Sequence, residues 1–526
     1  MKNTTTIFFL KSLFIGLVLR FTYLFFKAGE ITKINLGGDP CHHFNIAYNI
    51  SKFNGPKTDF IFAFWHRHET LPALTDVYPP GFHFFSALFI FFYDDFLISR
   101  IISLTIFLLN IYLIIIIANK INRKDLGIFT SLLVLVNYFH VENSVVFMTV
   151  TFYMLLIQIF FYFLITFDIY KKSIFFIGMS VGYSSITFGG WQLLIVIISI
   201  YLFANKHKIL KDYLLLFFGF FLIAVPWGII TYNYFGTPYY SNLNFYPIVK
   251  EWSSMMISTT KPSIQVFINN LEYVEYFKNH LFWFLKNLIK FSLTLFPTFL
   301  FPLSFLLIPM IIHGAIKLKK YGYYFLGFIF LYFATLSFSS YALNGNLHPR
   351  HFLPLLFCVS FLLSSSIIEL YKSSFLSKYL IFFKRYENYS LGAIFLITLS
   401  GILYVDTSWN KNTKPFFIFG EKIKKIVPAD SRIMYGSTPQ DLWCVSDRQV
   451  VLDPNNMKNF KNQYRKNRVI EEIEQYKPDY VLLDFSNHIY DRSDNNLKDT
   501  LKNFTNYNLS LKLSDEINRY YLYKIN

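Results

Sequence analysis

An acidic residue, Asp39, follows soon after the first long apolar run of the chain, 7–27, in the sequence Gly37-Gly38-Asp39-Pro40. If that run spans a membrane, Asp39 lies at the boundary with water, within reach of a lipid head group. A carboxylate there can act as general base for a hydroxyl or an amine. The alternative is a structural role, because Asp before Pro is favoured at the start of a helix.

A second polar group lies in the segment Asn346–Pro354, where Arg350 stands between His348 and His351. A guanidinium flanked by two imidazoles can hold a phosphate, and arginine does so with paired hydrogen bonds. The alternative is an arginine that extends to lipid head groups. Arg20 falls inside the run 7–27, and a charge within a membrane helix marks a candidate binding site, with a structural ion pair as the alternative.

The turn Tyr78-Pro79-Pro80-Gly81 is rigid, and it leaves Tyr78 as a candidate for the wall of a pocket. The apolar stretch 82–93 that follows is too short to span a bilayer, so we expect it to lie in the membrane interface.

Five histidines in this region raise the question of a metal: His42, His43, His66, His68 and His83. Adjacent histidines point apart on a helix, and no acid or cysteine completes a recognised spacing, so we expect no catalytic metal and no cofactor. His43 is kept as a candidate substrate-binding residue.

The composition indicates a membrane protein. Hydrophobic residues make up 54% of the 526 residues and charged residues only 15%, whereas soluble domains carry about 25% charged residues. The net charge of +17 comes from short lysine groups between apolar runs, which argues against a nucleic-acid partner. A disulfide between Cys41 and Cys444 requires both to lie outside, and no spacing favours it.

Apolar runs predict about eleven transmembrane helices. They lie at 7–27, 96–118, 125–142, 146–167, 173–188, 190–204, 212–231, 291–316, 321–341, 350–371 and 388–405. Lysine and arginine cluster in alternate loops, at 120–124, 171–172, 206–211, 317–320 and 372–385. These clusters share one side of the membrane if the N-terminus is cytoplasmic, which exports loops 28–95 and 232–290 and the tail from 406.

The tail is more polar and alternates short β-like runs with helix-like stretches. The runs are Arg432–Tyr435, Gln449–Leu452 and Tyr480–Asp484; the helical stretches are Glu421–Ile426, Arg468–Gln475 and Asn496–Phe504. This alternation predicts a small α/β domain. We therefore expect a transmembrane domain over 1–405 and an extracytoplasmic domain over 406–526, in the plasma (inner) membrane.

Several motifs together resemble membrane glycosyltransferases of the GT-C type. The chain is most similar to the dolichyl-phosphate-mannose protein mannosyltransferases (glycosyltransferase family 39) and their bacterial aminoarabinose-transferase relatives. The motifs that carry the resemblance are Asp39 with Ala47-Tyr48, Tyr78–Gly81, Pro226-Trp227, Tyr234–Pro238, His348–Pro354 and Leu442–Val451.

This resemblance implies a GT-C-type polytopic α-helical fold and transfer of a sugar from a polyprenyl-phosphate donor to a glycan, lipid or protein acceptor on the outer face. Asp39 matches the family's catalytic acid, and Arg350 falls in a motif that contacts the carrier phosphate. Two positions depart from the pattern: Pro40 replaces a second acid, and Val150 follows Met148-Thr149 where many bacterial relatives carry an acid. Glu142 is the candidate substitute.

Three other functions remain open. An oligosaccharyltransferase catalytic subunit would carry a Trp-Trp-Asp motif, which the sequence lacks. A lipid-linked sugar transporter or polysaccharide polymerase is disfavoured because transporters need polar groups at the middle of the membrane, and here they gather in outer loops. A non-catalytic member of the family is the third, and the missing second acid favours it.

Overall fold

The computed structural model describes residues 2–26, 39–60, 70–167, 172–187, 191–204, 210–241, 282–288, 307–339, 349–372, 408–436, 439–452, 462–485 and 494–526, and a few single residues between these ranges. The chain divides into two compact units. The first comprises Met1–Ile31, Leu97–Trp252 and Pro262–Asp406, and the second comprises Thr32–Phe96, Ser253–Lys261 and Thr407–Asn526. We refer to residues 407–526 as the tail domain.

The helices within these ranges are, in chain order, α1 (Lys2–Phe26), α2 (Asp39–Ser51), α3 (Gly81–Ile90), α4 (Leu97–Lys120), α5 (Lys124–Leu135), α6 (Tyr138–Asn143), α7 (Thr149–Phe167), α8 (Ser173–Ser185), α9 (Trp191–Ala204), α10 (Leu210–Phe235), α11 (Leu307–Ser339), α12 (Leu353–Lys372), α13 (Ser408–Ile426), α14 (Pro439–Ser446), α15 (Asn462–Tyr476) and α16 (Asp494–Lys502). A 3-10 turn at Pro349–Phe352 leads into α12. The strands are β1 (Lys57–Thr58), β2 (Ala73–Leu74), β3 (Arg432–Tyr435), β4 (Gln449–Leu452), β5 (Tyr480–Asp484), β6 (Leu509–Asp515) and β7 (Tyr520–Ile525).

The first unit has the helices of a polytopic membrane protein. Among the described residues, four helical stretches are long and apolar enough to cross a bilayer: Leu97–Lys120, Thr149–Phe167, Leu210–Phe235 and Arg350–Leu370. The prediction of an integral membrane protein with several spans is confirmed. The count of eleven stays a prediction, since most of the run 388–405 lies outside the described residues.

One predicted run is divided in the structure, and one predicted break is present. The run 125–142 is divided into α5 and α6, because the side chain of Asn137 accepts a hydrogen bond from the backbone N–H of His140 (3.0 Å) and starts a new helix. In α11 the backbone leaves helical geometry at Lys319, which has φ 52°. That residue falls between the runs 291–316 and 321–341, where the sequence predicts a break.

Close packing of α8 against α10 depends on small residues. A Cβ added at Gly178 of α8 would overlap the backbone carbonyl oxygen of Leu216 in α10, and one added at Gly219 of α10 would overlap that of Phe175. Small residues allow helix backbones to approach closely in membranes, where the hydrophobic effect does not drive helices together.

The tail domain is built on one mixed five-stranded sheet with the order β4-β3-β5-β7-β6. Strand β3 pairs in parallel with β4 and β5, and β7 pairs antiparallel with β5 and β6. The three predicted strands occur at the predicted residues. Strands β6 and β7 complete the sheet as an antiparallel pair that was not predicted from the sequence, although the alternation of Leu and polar residues over Leu509–Asp515 is a signal typical of a strand.

Part of the segment 32–96 folds together with the tail domain. Leu71 and Ala73 belong to the same buried apolar cluster as Met434, Val451 and Val481. In addition, Phe60 lies opposite Val450 in a parallel bridge at the open edge of β4. This core of the second unit is therefore formed from two distant parts of the sequence.

Candidate active site

Asp39 is the first residue of α2, and its side chain is held by Tyr78. The Tyr78 hydroxyl donates a hydrogen bond to Oδ1 of Asp39 at 2.7 Å. Asp39 is half-buried and lies in the first turn of α2. The carboxylate is thus oriented by a partner 39 residues away, which is the arrangement expected of a general base.

Two histidines pack around the Tyr78 ring. The ring of His43 lies 4.4 Å from that of Tyr78, centre to centre, and the ring of His42 lies 4.9 Å from it. Nδ1 of His43 is 2.9 Å from Nε2 of His83, so one of these ring nitrogens donates a hydrogen bond to the other. His42, His43 and His83 are all buried.

Burial also sets the charge of these histidines. It lowers the pKa of His42 to about 4, although the carboxylates of Asp76 and Asp39 act in the opposite direction. Burial lowers the pKa of His83 to about 3. Both rings are neutral at pH 7, and no group of three or more His, Cys, Asp or Glu side chains in the described part of the chain is arranged to hold a metal ion.

In the first unit, Glu142 and Arg350 lie close together. The Tyr23 hydroxyl donates to Oε1 of Glu142 at 3.2 Å, and the positive charge of Arg350 acts on the Glu142 carboxylate. Helix α6 carries Glu142, and the 3-10 turn carries Arg350. These two residues, predicted separately from the sequence, form a second polar cluster.

The neighbours of Arg350 are placed as follows. His351 is half-buried, and its backbone carbonyl accepts a hydrogen bond from the Tyr332 hydroxyl at 3.3 Å. His348 lies outside the described residues.

Arg20 is fully buried, and its guanidinium contacts groups of the protein itself. Nε donates to Oγ of Ser144 at 2.8 Å, Nη1 donates to the carbonyl of Leu135 at 3.1 Å, and Nη2 lies 2.8 Å from Nδ1 of His140. The partners lie at the end of α5, in α6 and just after it. Arg20 therefore ties α1 to the corner that presents Glu142, a place suited to a structural rather than a ligand-binding role.

Two residues of this cluster were not predicted from the sequence. Tyr23 holds Glu142, and the charge of the buried Arg100 acts on Tyr23. Nη1 of Arg100 donates to the carbonyl of Val145 at 2.7 Å. Arg100 carries the same signal as Arg20, a charge within an apolar run, and that signal could have found it.

The structure is similar to solved membrane enzymes along the whole chain. ArnT from Cupriavidus metallidurans in the apo state matches with a TM-score of 0.63 and 11% identity, over 100% of this chain and 98% of that one. The same protein bound to undecaprenyl phosphate matches with a TM-score of 0.61 and 10% identity, over 98% and 97% of the two chains. The Archaeoglobus fulgidus oligosaccharyltransferase, in complex with Zn and sulfate, matches with a TM-score of 0.56 and 12% identity, over 89% of this chain and 68% of that one.

The chain has the GT-C fold. The resemblance noted in the sequence is thereby confirmed at the level of fold, and it extends over the helical part and the tail domain alike. At this low sequence identity the similarity shows the fold only, and the chemistry has to be argued from the residues of the candidate site. No protein-family model matches the sequence, and no curated protein matches it either.

Proposed function

We propose that this protein transfers a sugar from a polyprenyl-phosphate-linked donor to an acceptor. The observation that carries the proposal is the match over nearly the full chain to a structure solved with undecaprenyl phosphate bound. The oriented Asp39 carboxylate supports it, because a displacement at a sugar carbon needs a base for the incoming nucleophile.

The reaction is a single displacement with inversion. Asp39 takes the proton from the acceptor hydroxyl or amine as that group attacks the anomeric carbon. The bond between this carbon and the phosphate oxygen breaks, and the carrier leaves as polyprenyl phosphate. Tyr78 holds the Asp39 carboxylate in place for this step.

The reaction also requires that the negative charge on the departing phosphate is stabilised. Cationic groups that face this phosphate lower the barrier. We assign the positive charge that opposes the phosphate to Arg350. Glu142, which is held by Tyr23 and lies close to Arg350, is the second candidate carboxylate. His348 and His351 beside Arg350 are further contacts of the donor. His43 and Arg20 are both buried: His43 packs on Tyr78, and Arg20 holds α6 through His140, so we assign each a positioning role.

The topology that suits this function has eleven spans, a cytoplasmic N-terminus, and the loop 28–95 and the tail 406–526 outside the plasma (inner) membrane. The alternation of Lys and Arg clusters supports it. The disulfide between Cys41 and Cys444 supports it as well, since disulfides persist in oxidising compartments outside the cytoplasm. The sugar is a hexose or pentose, and the acceptor is a glycan, a lipid or a protein.

Donor consumption by purified protein tests the proposal. Wild type and Asp39→Asn are incubated with a panel of undecaprenyl-phosphate hexoses and pentoses and a membrane extract as the acceptor source, and loss of lipid-linked sugar is followed by chromatography. We expect Asp39→Asn to lower the rate by at least about 100-fold, the usual range for removal of a general base. Asp94→Asn is the matched control, because Asp94 is an exposed acid of the same unit that pairs with Lys52.

Equal rates for wild type and Asp39→Asn would remove Asp39 from the chemistry. Movement of intact donor across vesicle membranes without its consumption would favour the transporter instead. Mass spectrometry of glycans and glycolipids from a deletion strain identifies the sugar and the acceptor.

A further inference from the structure

Helix α2, which carries Asp39, is joined covalently to the tail domain. Cys41 lies two residues after Asp39 and forms a disulfide with Cys444 of α14, across 403 residues of sequence and with a Cα–Cα distance of 5.9 Å. Cys41 is fully buried, and α2 packs on α14 around it. The ring of Tyr48 on α2 also lies 6.4 Å from that of Trp443, the neighbour of Cys444.

A second connection runs through hydrogen bonds. Asn45 and Asn49 of α2 each donate to Oδ2 of Asp59, at 2.6 Å and 2.9 Å, and the backbone N–H of Asp59 donates to Oδ1 of Asn45 at 3.0 Å. The carbonyl of Asp59 then accepts the backbone N–H of Val450 in β4 at 3.0 Å. Asp59 therefore links the middle of α2 to the edge of the tail sheet.

These connections matter because α2 cannot fix its own position. A helix of 13 residues is marginal in isolation, and its orientation comes from what it packs against. Here the disulfide holds the first turn of α2 and the Asp59 link holds the second and third. Both lead to the tail domain, which begins more than 360 residues later in the chain, whereas the packing of α2 on α3 is a contact within the segment 32–96.

We propose that the tail domain positions the catalytic base: the Cys41–Cys444 disulfide and the Asn45–Asp59 pair are positioning elements for Asp39. The proposal rests on the proposed function, in which Asp39 is the base. It gives the tail domain a part in the chemical step that is separate from any contact with the acceptor. Loss of either connection lowers kcat, because a small misplacement of a catalytic group is costly, while the binding of donor is unaffected.

The disulfide is tested first, in the full-length purified protein. The double variant Cys41→Ser, Cys444→Ser is compared with Cys358→Ser, which removes the buried free thiol of α12 as a matched control. We expect the double variant to lower kcat by about 10-fold or more with the donor KM unchanged, and the control to keep both values. Far-ultraviolet circular dichroism and gel filtration check that each variant is folded.

Reduction of the wild-type protein gives the same information without a substitution. Dithiothreitol supplies two electrons and two protons, is oxidised to its cyclic disulfide, and leaves Cys41 and Cys444 as thiols. The expected result is a loss of kcat in the folded protein that is recovered on reoxidation.

The hydrogen bond between Asn45 and Asp59 is tested by exchanging these two side chains. Asn45→Asp places two carboxylates against each other in a contact now 2.6 Å long, and we expect kcat to fall. Adding Asp59→Asn restores a donor opposite an acceptor, and we expect kcat to recover. A role in stability alone would raise the unfolded fraction without changing the kcat of the folded protein.

The outcomes separate the two proposals. A wild type that consumes no donor rejects the proposed function, and this inference with it. An active wild type whose folded double variant and exchanged pair keep the wild-type kcat rejects the inference alone. Peptide mapping that finds Cys41 and Cys444 alkylated without prior reduction also rejects it, whatever the activity.

Discussion

The hydrogen bond from Tyr78 to Asp39 makes the tyrosine a partner of the candidate base, whereas its place in a Pro-Pro-Gly turn favoured a pocket wall. A hydrogen bond to a charged group is stronger than one between neutral groups and fixes its direction. The rings of His42 and His43 also pack against the Tyr78 ring. In the proposed reaction Asp39 is therefore held by a side chain that need not touch the substrate.

Replacing Tyr78 by Phe tests this dependence. Tyr78→Phe keeps the ring packing but removes the donor, and we expect kcat to fall by about 10-fold, the equivalent of one hydrogen bond to a charged group. Tyr93→Phe is the control, because Tyr93 is an exposed tyrosine of the same unit. Steady-state assays of donor consumption measure the effect, and an unchanged kcat would mean that Asp39 does not need the phenol.

The buried histidines predict how stability depends on pH. The folded-state pKa of His42, about 4, lies below its ordinary value of 6.5, so between these values the unfolded chain binds more protons than the folded one. The contribution of neutral His42 to the stability of the folded protein is therefore fully present above pH 6.5 and is lost as the pH falls towards 4. We expect the midpoint of thermal unfolding in detergent to fall over this window.

The variant His42→Phe distinguishes the contribution of His42 to this pH dependence from that of the other buried histidines. A phenylalanine cannot be protonated, and its ring fits a site lined by Phe60 and Tyr78. The decline of the unfolding midpoint below pH 6.5 should be shallower than in wild type. Identical pH profiles for the two proteins would show that His42 does not couple protonation to folding.

At the scale of elements, α8 and α10 approach so closely that the backbone of one occupies the space of a side chain on the other. Gly178 meets the carbonyl of Leu216, and backbone atoms cannot move aside as the tip of a side chain can. In a bilayer the hydrophobic effect does not drive helices together, so close packing of this kind contributes to their association.

Adding a methyl group at this contact should separate the helices. We expect Gly178→Ala to destabilise the protein by about 1–3 kcal/mol, the usual cost of overpacking. Gly327→Ala is the matched control in α11, where an added Cβ would meet only Cδ1 of Ile197 at 3.6 Å. Thermal unfolding followed by fluorescence and gel filtration compares the two, and equal midpoints would contradict the close contact of α8 with α10.

At the scale of the whole molecule, the alternation of positive loops predicts which residues face outside. Lys512 in β6 of the tail domain is exposed, and so is Lys124 at the start of α5. We expect Lys512→Cys to react with a membrane-impermeant maleimide in intact cells, and Lys124→Cys to react only after permeabilisation. Protection of Lys512→Cys, or labelling of Lys124→Cys in intact cells, would overturn the eleven-helix topology.

The sequence by itself determined the features that depend on local pattern. Long apolar runs identify membrane helices because a bilayer offers no partner for an exposed backbone. Alternating strands and helices located β3, β4 and β5 in the tail. Residue type and position were enough to name Asp39 and Arg350 as candidates, since charged groups near a membrane are costly without a role. Glu142 was named only through the family resemblance.

Only the tertiary structure decided which residues contact each other across long stretches of sequence. Tyr78 meets Asp39, Arg20 meets the corner of α5 and α6, and Cys41 meets Cys444 because of packing between elements far apart in the chain. No spacing in the sequence encodes such contacts, because each depends on the three-dimensional path of the chain between the partners. For the same reason, the Asp-Pro pair marks the start of α2 in the sequence, but only the tertiary structure shows that α2 is linked to the tail domain.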